Sequence, residues 1–235
     1  MKLKCIIFDV DGTMADTERN GHRVAFNLAF QETHLDWYWN EELYGQLLNV
    51  TGGKERMSYY QNDFLKKNTL SENEITAIHQ CKTNHYVKLL KSGKIPLRKG
   101  VKNLIEQALQ ENIKLAISTT TTPVNVSTLL KATLGADSES IFDVIAAGDV
   151  ILHKKPAPDI YYYTLNQLGL KAENCIAIED SSAGLAAAFS AGIKTIITTN
   201  KYTQDQDFSN ALKIYPNLGT VNTQSLNQFI GENHV

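Results

Sequence analysis

The sequence is short of the features that mark several protein classes. It has 3 cysteines, Cys5, Cys81 and Cys175, in 235 residues. Cys5 and Cys175 sit in short apolar runs, and no zinc-binding spacing is present, so all three are read as structural rather than as a disulfide framework. No charge of one sign dominates. Lys and Arg number 23 against 25 Asp and Glu, a formal net charge of −2. A nucleic-acid partner or a basic membrane-facing patch is therefore not expected, although a few local cations suffice for a small anion. No apolar stretch approaches the ~20 residues of a membrane span. Met1-Lys2-Leu3-Lys4 runs straight into a strand-like segment without a signal-peptide core, so a reduced, cytoplasmic location is expected. A Walker loop and a Gly-x-Gly-x-x-Gly fingerprint are both missing, which argues against a nucleotide-binding module. Internal repeats and low-complexity segments are also missing.

What is present is ordinary globular material, 43% hydrophobic and 20% charged. At about 100–200 residues per domain, the length fits one large domain or two modest ones. Short apolar runs recur at Cys5–Phe8, Leu115–Ser118, Phe142–Ala146, Ile176–Ile178 and Ile193–Ile197. Helical patterns separate them. Val101, Leu104, Ile105, Ala108 and Leu109 form one apolar stripe, and the Ala-rich segment 182–190 ends at Ala191-Gly192. Strands alternating with helices predict an α/β fold with a parallel sheet covered on both faces.

Residues 17–93 read differently. No strand-like run occurs there. Phe26 and Phe30, Leu43 and Leu47, and Tyr60 and Phe64 are each one helical turn apart. Ser71-Glu72-Asn73-Glu74 has capping-box form and opens a helix carrying Ile75, Ile78 and Leu89. The expected division is a Rossmann-like core at 1–16 and 94–235, with a helical insertion at 17–93 after the first strand. Gly93 to Gly100, around Pro96, reads as the return linker.

Ligands of open α/β sheets bind beyond the carboxyl ends of the strands. Four polar clusters follow four of the apolar runs. Asp9-Val10-Asp11-Gly12-Thr13 offers two carboxylates at spacing i, i+2, or else a turn and a helix cap. Thr119-Thr120-Thr121-Thr122 offers hydroxyls and backbone N–H groups to an anion, or simply caps a helix. His153-Lys154-Lys155-Pro156 offers a lysine charge to phosphate, or a solvated loop. Glu179-Asp180-Ser181 places adjacent acids at a buried strand end, or an N-cap. Each alone is weak. Their order, acid pair, hydroxyl, lysine, acid pair, on strand ends that one sheet brings together, outweighs coincidence.

These residues resemble the haloacid dehalogenase-like phosphohydrolases, over nearly the whole chain. Within that superfamily the likeness is to the CbbY type. It rests on Asp16-Thr17-Glu18, Gly21-His22-Arg23, Thr119-Thr120-Thr121 and Ile145-Ala146-Ala147-Gly148-Asp149, and above all on Thr51-Gly52-Gly53-Lys54-Glu55-Arg56-Met57. Lys99-Gly100 stands where relatives often have Pro-Gly, and Met14 where Leu is common. The tail after about Tyr202 carries no signature.

The resemblance implies an α-helical cap over a Rossmann-like core, and Mg²⁺-dependent hydrolysis of a small sugar phosphate. For the CbbY type that substrate is xylulose 1,5-bisphosphate. It implies Asp9 as nucleophile and Asp11 as acid and base. Thr119 and Thr120 would bind the phosphoryl group and Lys155 would neutralise its charge, with Lys154 competing for that role. Mg²⁺ would be held by Asp9, Asp11 and Asp180, and Glu179 would orient Lys155 or metal-bound water. Gly52, Gly53, Lys54 and Arg56 would meet a second phosphate, while Glu18, His22 and Tyr44 would meet sugar hydroxyls. A monomer is expected. The alternatives are a phosphosugar mutase of the β-phosphoglucomutase kind and a non-catalytic phosphometabolite sensor.

Overall fold

The computed structural model describes residues 2–67 and 69–231. Two compact units emerge. One is built from the chain up to Asp16 together with the chain from Pro96 on; the other is Thr17–Ile95.

In the first unit, β1 (Cys5–Phe8) is followed, after the other unit, by α5 (Val101–Gln110), β2 (Lys114–Thr119), α6 (Pro123–Leu134), β3 (Val144–Ala147), α7 (Asp159–Leu168), β4 (Cys175–Glu179), α8 (Ser182–Ser190), β5 (Lys194–Thr198), β6 (Lys213–Tyr215) and α9 (Thr223–Gly231). The strands form one parallel sheet in the order β3-β2-β1-β4-β5-β6. Every residue of β1 and β4 is buried, as expected where helices cover both faces. On one face Cys5, Ile7, Ala116, Ala146, Cys175 and Ala177 meet Ile160 and Tyr161 of α7 and Ala187 and Ala188 of α8. Such small residues on β2, β3 and α8 let helix and sheet approach closely. The chain order reverses between β1 and β4, so the two strand ends open a crevice there.

The stripe on α5 is buried at Val101, Leu104, Ile105 and Ala108, but Leu109 is 44% exposed. It lies at the margin of the stripe, eight residues from Val101. The tail is structured as well. Edge strand β6 pairs with β5, and α9 packs against α5 and β4. The strand is only three residues long and largely exposed, and therefore too short and polar to stand out in the sequence.

Every regular element among the described residues of the second unit is helical. The unit comprises a π-helical turn at Glu18–His22, then α1 (Arg23–Glu32), α2 (Glu41–Leu47), α3 (Gly53–Tyr59), a second π turn at Tyr60–Phe64, and α4 (Glu72–Lys91). Ser71 and Glu74 form the expected capping box. The core is aromatic: Phe26, Phe30, Trp37, Trp39 and Tyr60 meet edge-on or tilted at centroid distances of 4.7–5.8 Å. The buried face of α4 carries Ile75, Ile78, Lys82, Tyr86 and Leu90. Leu89 is on this helix as expected and is half-buried, while the buried stripe passes through Lys82 and Tyr86, whose polar tips disguise it, to Leu90.

Candidate active site

Asp9 follows β1 directly, and Glu179 ends β4, so the crevice between these strands receives both carboxylates. Asp180 comes next in the chain. Asp9, Glu179 and Asp180 are 7%, 1% and 7% exposed, and one ligand oxygen from each lies within 4.8 Å of the others. Lys155, from the loop before α7, reaches into the same place. Its Nζ donates to Asp9 Oδ1 at 2.7 Å, Glu179 Oε1 at 2.6 Å and the Ser118 carbonyl at 2.8 Å. Lys154 instead pairs with Asp149 at 3.3 Å, on the side of an exposed carboxylate. The geometry therefore singles out Lys155 from the two lysines.

Electrostatics follow from this crowding. Burial pushes the Asp9 carboxyl up to about 8; Lys155 opposes the rise, while Glu179 and Asp11 add to it. Burial also works against the charge of Lys155, but Asp9 and Glu179 outweigh it and hold the ammonium above its ordinary range. A divalent cation among the three carboxylates would return Asp9 to its charged form. The donors here are all hard oxygens, which suit Mg²⁺. Glu179 Oε2 is buried without a hydrogen-bond partner, so the cluster is not saturated by the protein alone. The residues present fit such an ion.

The surrounding loops are shaped to this cluster. Gly12 has φ +82°, and a Cβ there would fall 2.2 Å from Asp180 Oδ2. A Cβ on Gly184 would fall 1.9 Å from Glu179 Oε2. Thr119 ends β2 and is buried, and its Oγ1 accepts from the Thr121 N–H at 3.3 Å. Thr120 is half-buried in the same loop. Asp11 is half-buried and bridges to Ala15.

Three further residues join the cluster without having been expected. Tyr161 Oη donates to Glu179 Oε1 at 2.5 Å from the inner face of α7. Asn200 Nδ2 donates to Asp180 Oδ2 at 2.6 Å. Arg98 donates to the carbonyls of Gly12, Thr198, Thr199 and Pro216, tying together the loops after β1, β5 and β6. Asn200 had a readable signal, since it follows a fifth apolar run just as the four clusters follow theirs.

The remaining expected residues belong to the helical unit. Glu18 and His22 both lie on the first π turn. Tyr44 is fully buried; its hydroxyl donates to Glu18 Oε2 at 2.5 Å and accepts from Arg56 Nη1 at 3.1 Å. Arg56 is itself buried, with Nε donating to the Leu47 carbonyl, so it braces this network from inside. His22 is buried, stacked on Tyr86, with Nδ1 2.6 Å from Lys82 Nζ. Gly52 has φ +97° and precedes α3. A Cβ on Gly53 would fall 2.5 Å from His79 Nε2, so packing against α4 favours glycine there. Lys54 is half-buried in the first turn of α3.

A parallel sheet of this order, with acids and a lysine at its switch point, defines a Rossmann-like α/β core interrupted by a helical insertion. Residues 6–198 match the haloacid dehalogenase-like hydrolase family, and the chain belongs to it. It is an enzyme of the phosphatase class. It is 46% identical to a protein named CbbY from Rhodobacter capsulatus over 226 residues, covering 96% of this chain and 98% of that one. The crystal structure of a CbbY mutant from Rhodobacter sphaeroides in complex with xylulose-(1,5)bisphosphate is 41% identical, with a TM-score of 0.86, covering 92% of this chain and 95% of that one. A β-phosphoglucomutase from Clostridium difficile, 22% identical at a TM-score of 0.80 and covering 97% of each chain, shares the fold.

Proposed function

We propose that the chain is a Mg²⁺-dependent sugar phosphatase that works through an aspartyl-phosphate, with xylulose 1,5-bisphosphate as substrate and xylulose 5-phosphate as product. The observation that carries this reading is the convergence of Asp9, Lys155, Glu179 and Asp180 at the sheet's switch point. The likeness to CbbY proteins supports the substrate.

In the first step an Asp9 oxygen attacks phosphorus while the bond to the sugar oxygen breaks, and Asp11 gives that oxygen a proton. In the second step Asp11 takes a proton from water, which attacks the aspartyl-phosphate and releases inorganic phosphate. One carboxyl serves both steps because the first leaves it as the base that the second needs. Thr119 and the Thr120 N–H hold the equatorial phosphoryl oxygens, and Lys155 neutralises their charge. Glu179, clamped by Tyr161, orients Lys155. Asp9, the Asp11 carbonyl and Asp180 would hold Mg²⁺, with Glu179 beside them. When bound, the ion offsets repulsion between the carboxylate and the phosphate dianion. Glu18, held by Tyr44, and His22 serve the sugar hydroxyls. Lys54, at the Gly52-Gly53 turn, serves the second phosphate, and Arg56 braces Tyr44.

The test is phosphate release from a panel of sugar mono- and bisphosphates with Mg²⁺ or EDTA, beside Asp9→Asn. Mg²⁺-dependent release from xylulose 1,5-bisphosphate, absent in the variant, is expected. Release confined to another sugar phosphate would reject the substrate and keep the chemistry. No release from any of them would overturn the reading.

A further inference from the structure

Away from the carboxylate cluster, the helical unit holds a second convergence of ligand-type side chains. Cys81 and His85 are one turn apart on α4, so both point to the same side. That side faces α1, whose last residue is Glu32. His85 Nε2 and Glu32 Oε2 are 2.8 Å apart, and the Cys81 thiol lies beside the same carboxylate. One ligand atom from each residue lies within 4.8 Å of the others. Cys81 and His85 are half-buried and Glu32 is exposed, so an ion could enter without unfolding the helices.

We propose that Glu32, Cys81 and His85 form a second metal site, which takes Zn²⁺ or a similar thiophilic divalent cation and leaves one position for water. A thiolate, an imidazole and a carboxylate are the donor types that Zn²⁺ takes, and three protein ligands plus water complete a tetrahedron. On binding, the thiol loses its proton to solvent, and the thiolate and carboxylate together balance the two charges of the cation. Sulfur and nitrogen donors disfavour Mg²⁺, so this site and the all-oxygen cluster sort the two ions between them. Lys88 acts electrostatically on Glu32 and Cys81, opposes the cation, and places affinity below that of a closed four-ligand site. The bound ion would staple the end of α1 to the middle of α4. Sequence spacing gave no hint of it, because Glu32 stands 53 residues from His85.

The experiment is a Co²⁺ titration of the whole chain in saturating Mg²⁺, read by thiolate-to-cobalt charge-transfer absorption, with Zn²⁺ as competitor. A charge-transfer band that Zn²⁺ abolishes is expected, lost in Cys81→Ser, with affinity lowered roughly 10-fold or more in His85→Ala. Cys5 and Cys175 are fully buried in the sheet, so they do not supply the band. Its absence from the unmodified chain, or its persistence in Cys81→Ser, would overturn the proposal. A second measurement needs no variant. Zn²⁺ should slow alkylation of Cys81, and an unchanged rate would equally overturn the site.

Discussion

Lys155 Nζ donates to Asp9 Oδ1 across 2.7 Å, joining residues 146 positions apart in the chain. The same ammonium meets Glu179, so one buried cation separates two buried carboxylates. Removing it leaves their repulsion uncompensated. Lys155→Met should lower phosphate-release turnover by about 10²–10³-fold. It should also cost about 3–5 kcal/mol of stability, the usual penalty for breaking a buried pair from one side. Steady-state assays and denaturant unfolding measure the two effects. Near-normal turnover would remove Lys155 from the chemistry.

Asn200 stands behind Asp180 as Lys155 stands beside Asp9. Its amide fixes Asp180 Oδ2 at 2.6 Å and so selects the rotamer that the proposed ion would meet. Asn200→Ala should raise the Mg²⁺ concentration for half-maximal activity by about 10–100-fold. Turnover at saturating Mg²⁺ should fall much less. An unchanged Mg²⁺ dependence would reduce Asn200 to a loop anchor.

Most of the core was legible because its signals are local. Buried parallel strands read as short apolar runs, and the residue after each run is placed by the sheet. That is why Asp9, Thr119 and Glu179 could be picked out before any geometry. The contributions of Tyr161, Arg98 and the tail were not legible. Tyr161 is an inward residue of α7 like any other, and its hydroxyl gains meaning only when Glu179 lies opposite. Arg98 looks like a solvated linker cation until the loops after β1, β5 and β6 surround it. In the helical unit, Arg56 was expected to meet a second phosphate, and its fixation by Leu47 and Tyr44 was not legible because it depends on how α2 and α3 pack.

Gly184 owes its identity to Glu179. A methyl group there would fall 1.9 Å from a carboxylate oxygen that has no room to retreat without disturbing Lys155. Gly184→Ala is helix-favouring in isolation, yet it should destabilise the chain by about 1–3 kcal/mol through overpacking. Activity should fall with it. Thermal unfolding and turnover check the claim together, and a variant as stable as the parent would show that Glu179 moves freely.

Asp11 separates metal binding from proton transfer. Its backbone carbonyl is the part proposed to face Mg²⁺, and its carboxyl is the part proposed to carry the proton. Asp11→Asn keeps the first and removes the second. Turnover should drop about 10²–10⁴-fold while Mg²⁺ binding, followed by calorimetry, stays close to the parent's. Loss of both together would place the Asp11 carboxylate on the ion.

Lys54 offers the sharpest test of substrate choice. It lies in the first turn of α3 just after Gly52, whose φ of +97° turns the chain sharply before the helix. Arg56, two residues on, donates to the Leu47 carbonyl and the Tyr44 hydroxyl, and Lys54 is the residue proposed to meet the second phosphate. A cation that touches only that phosphate contributes to bisphosphate binding and nothing to a monophosphate. Lys54→Ala should therefore lower kcat/KM for xylulose 1,5-bisphosphate by about 10–100-fold, in line with one charge-assisted hydrogen bond of about 1.5–3 kcal/mol. Sugar monophosphates should be hydrolysed about as well as before. An equal loss on both substrates would mean that Lys54 supports the helical unit rather than reading the ligand, and the bisphosphate assignment would lose its anchor in this chain.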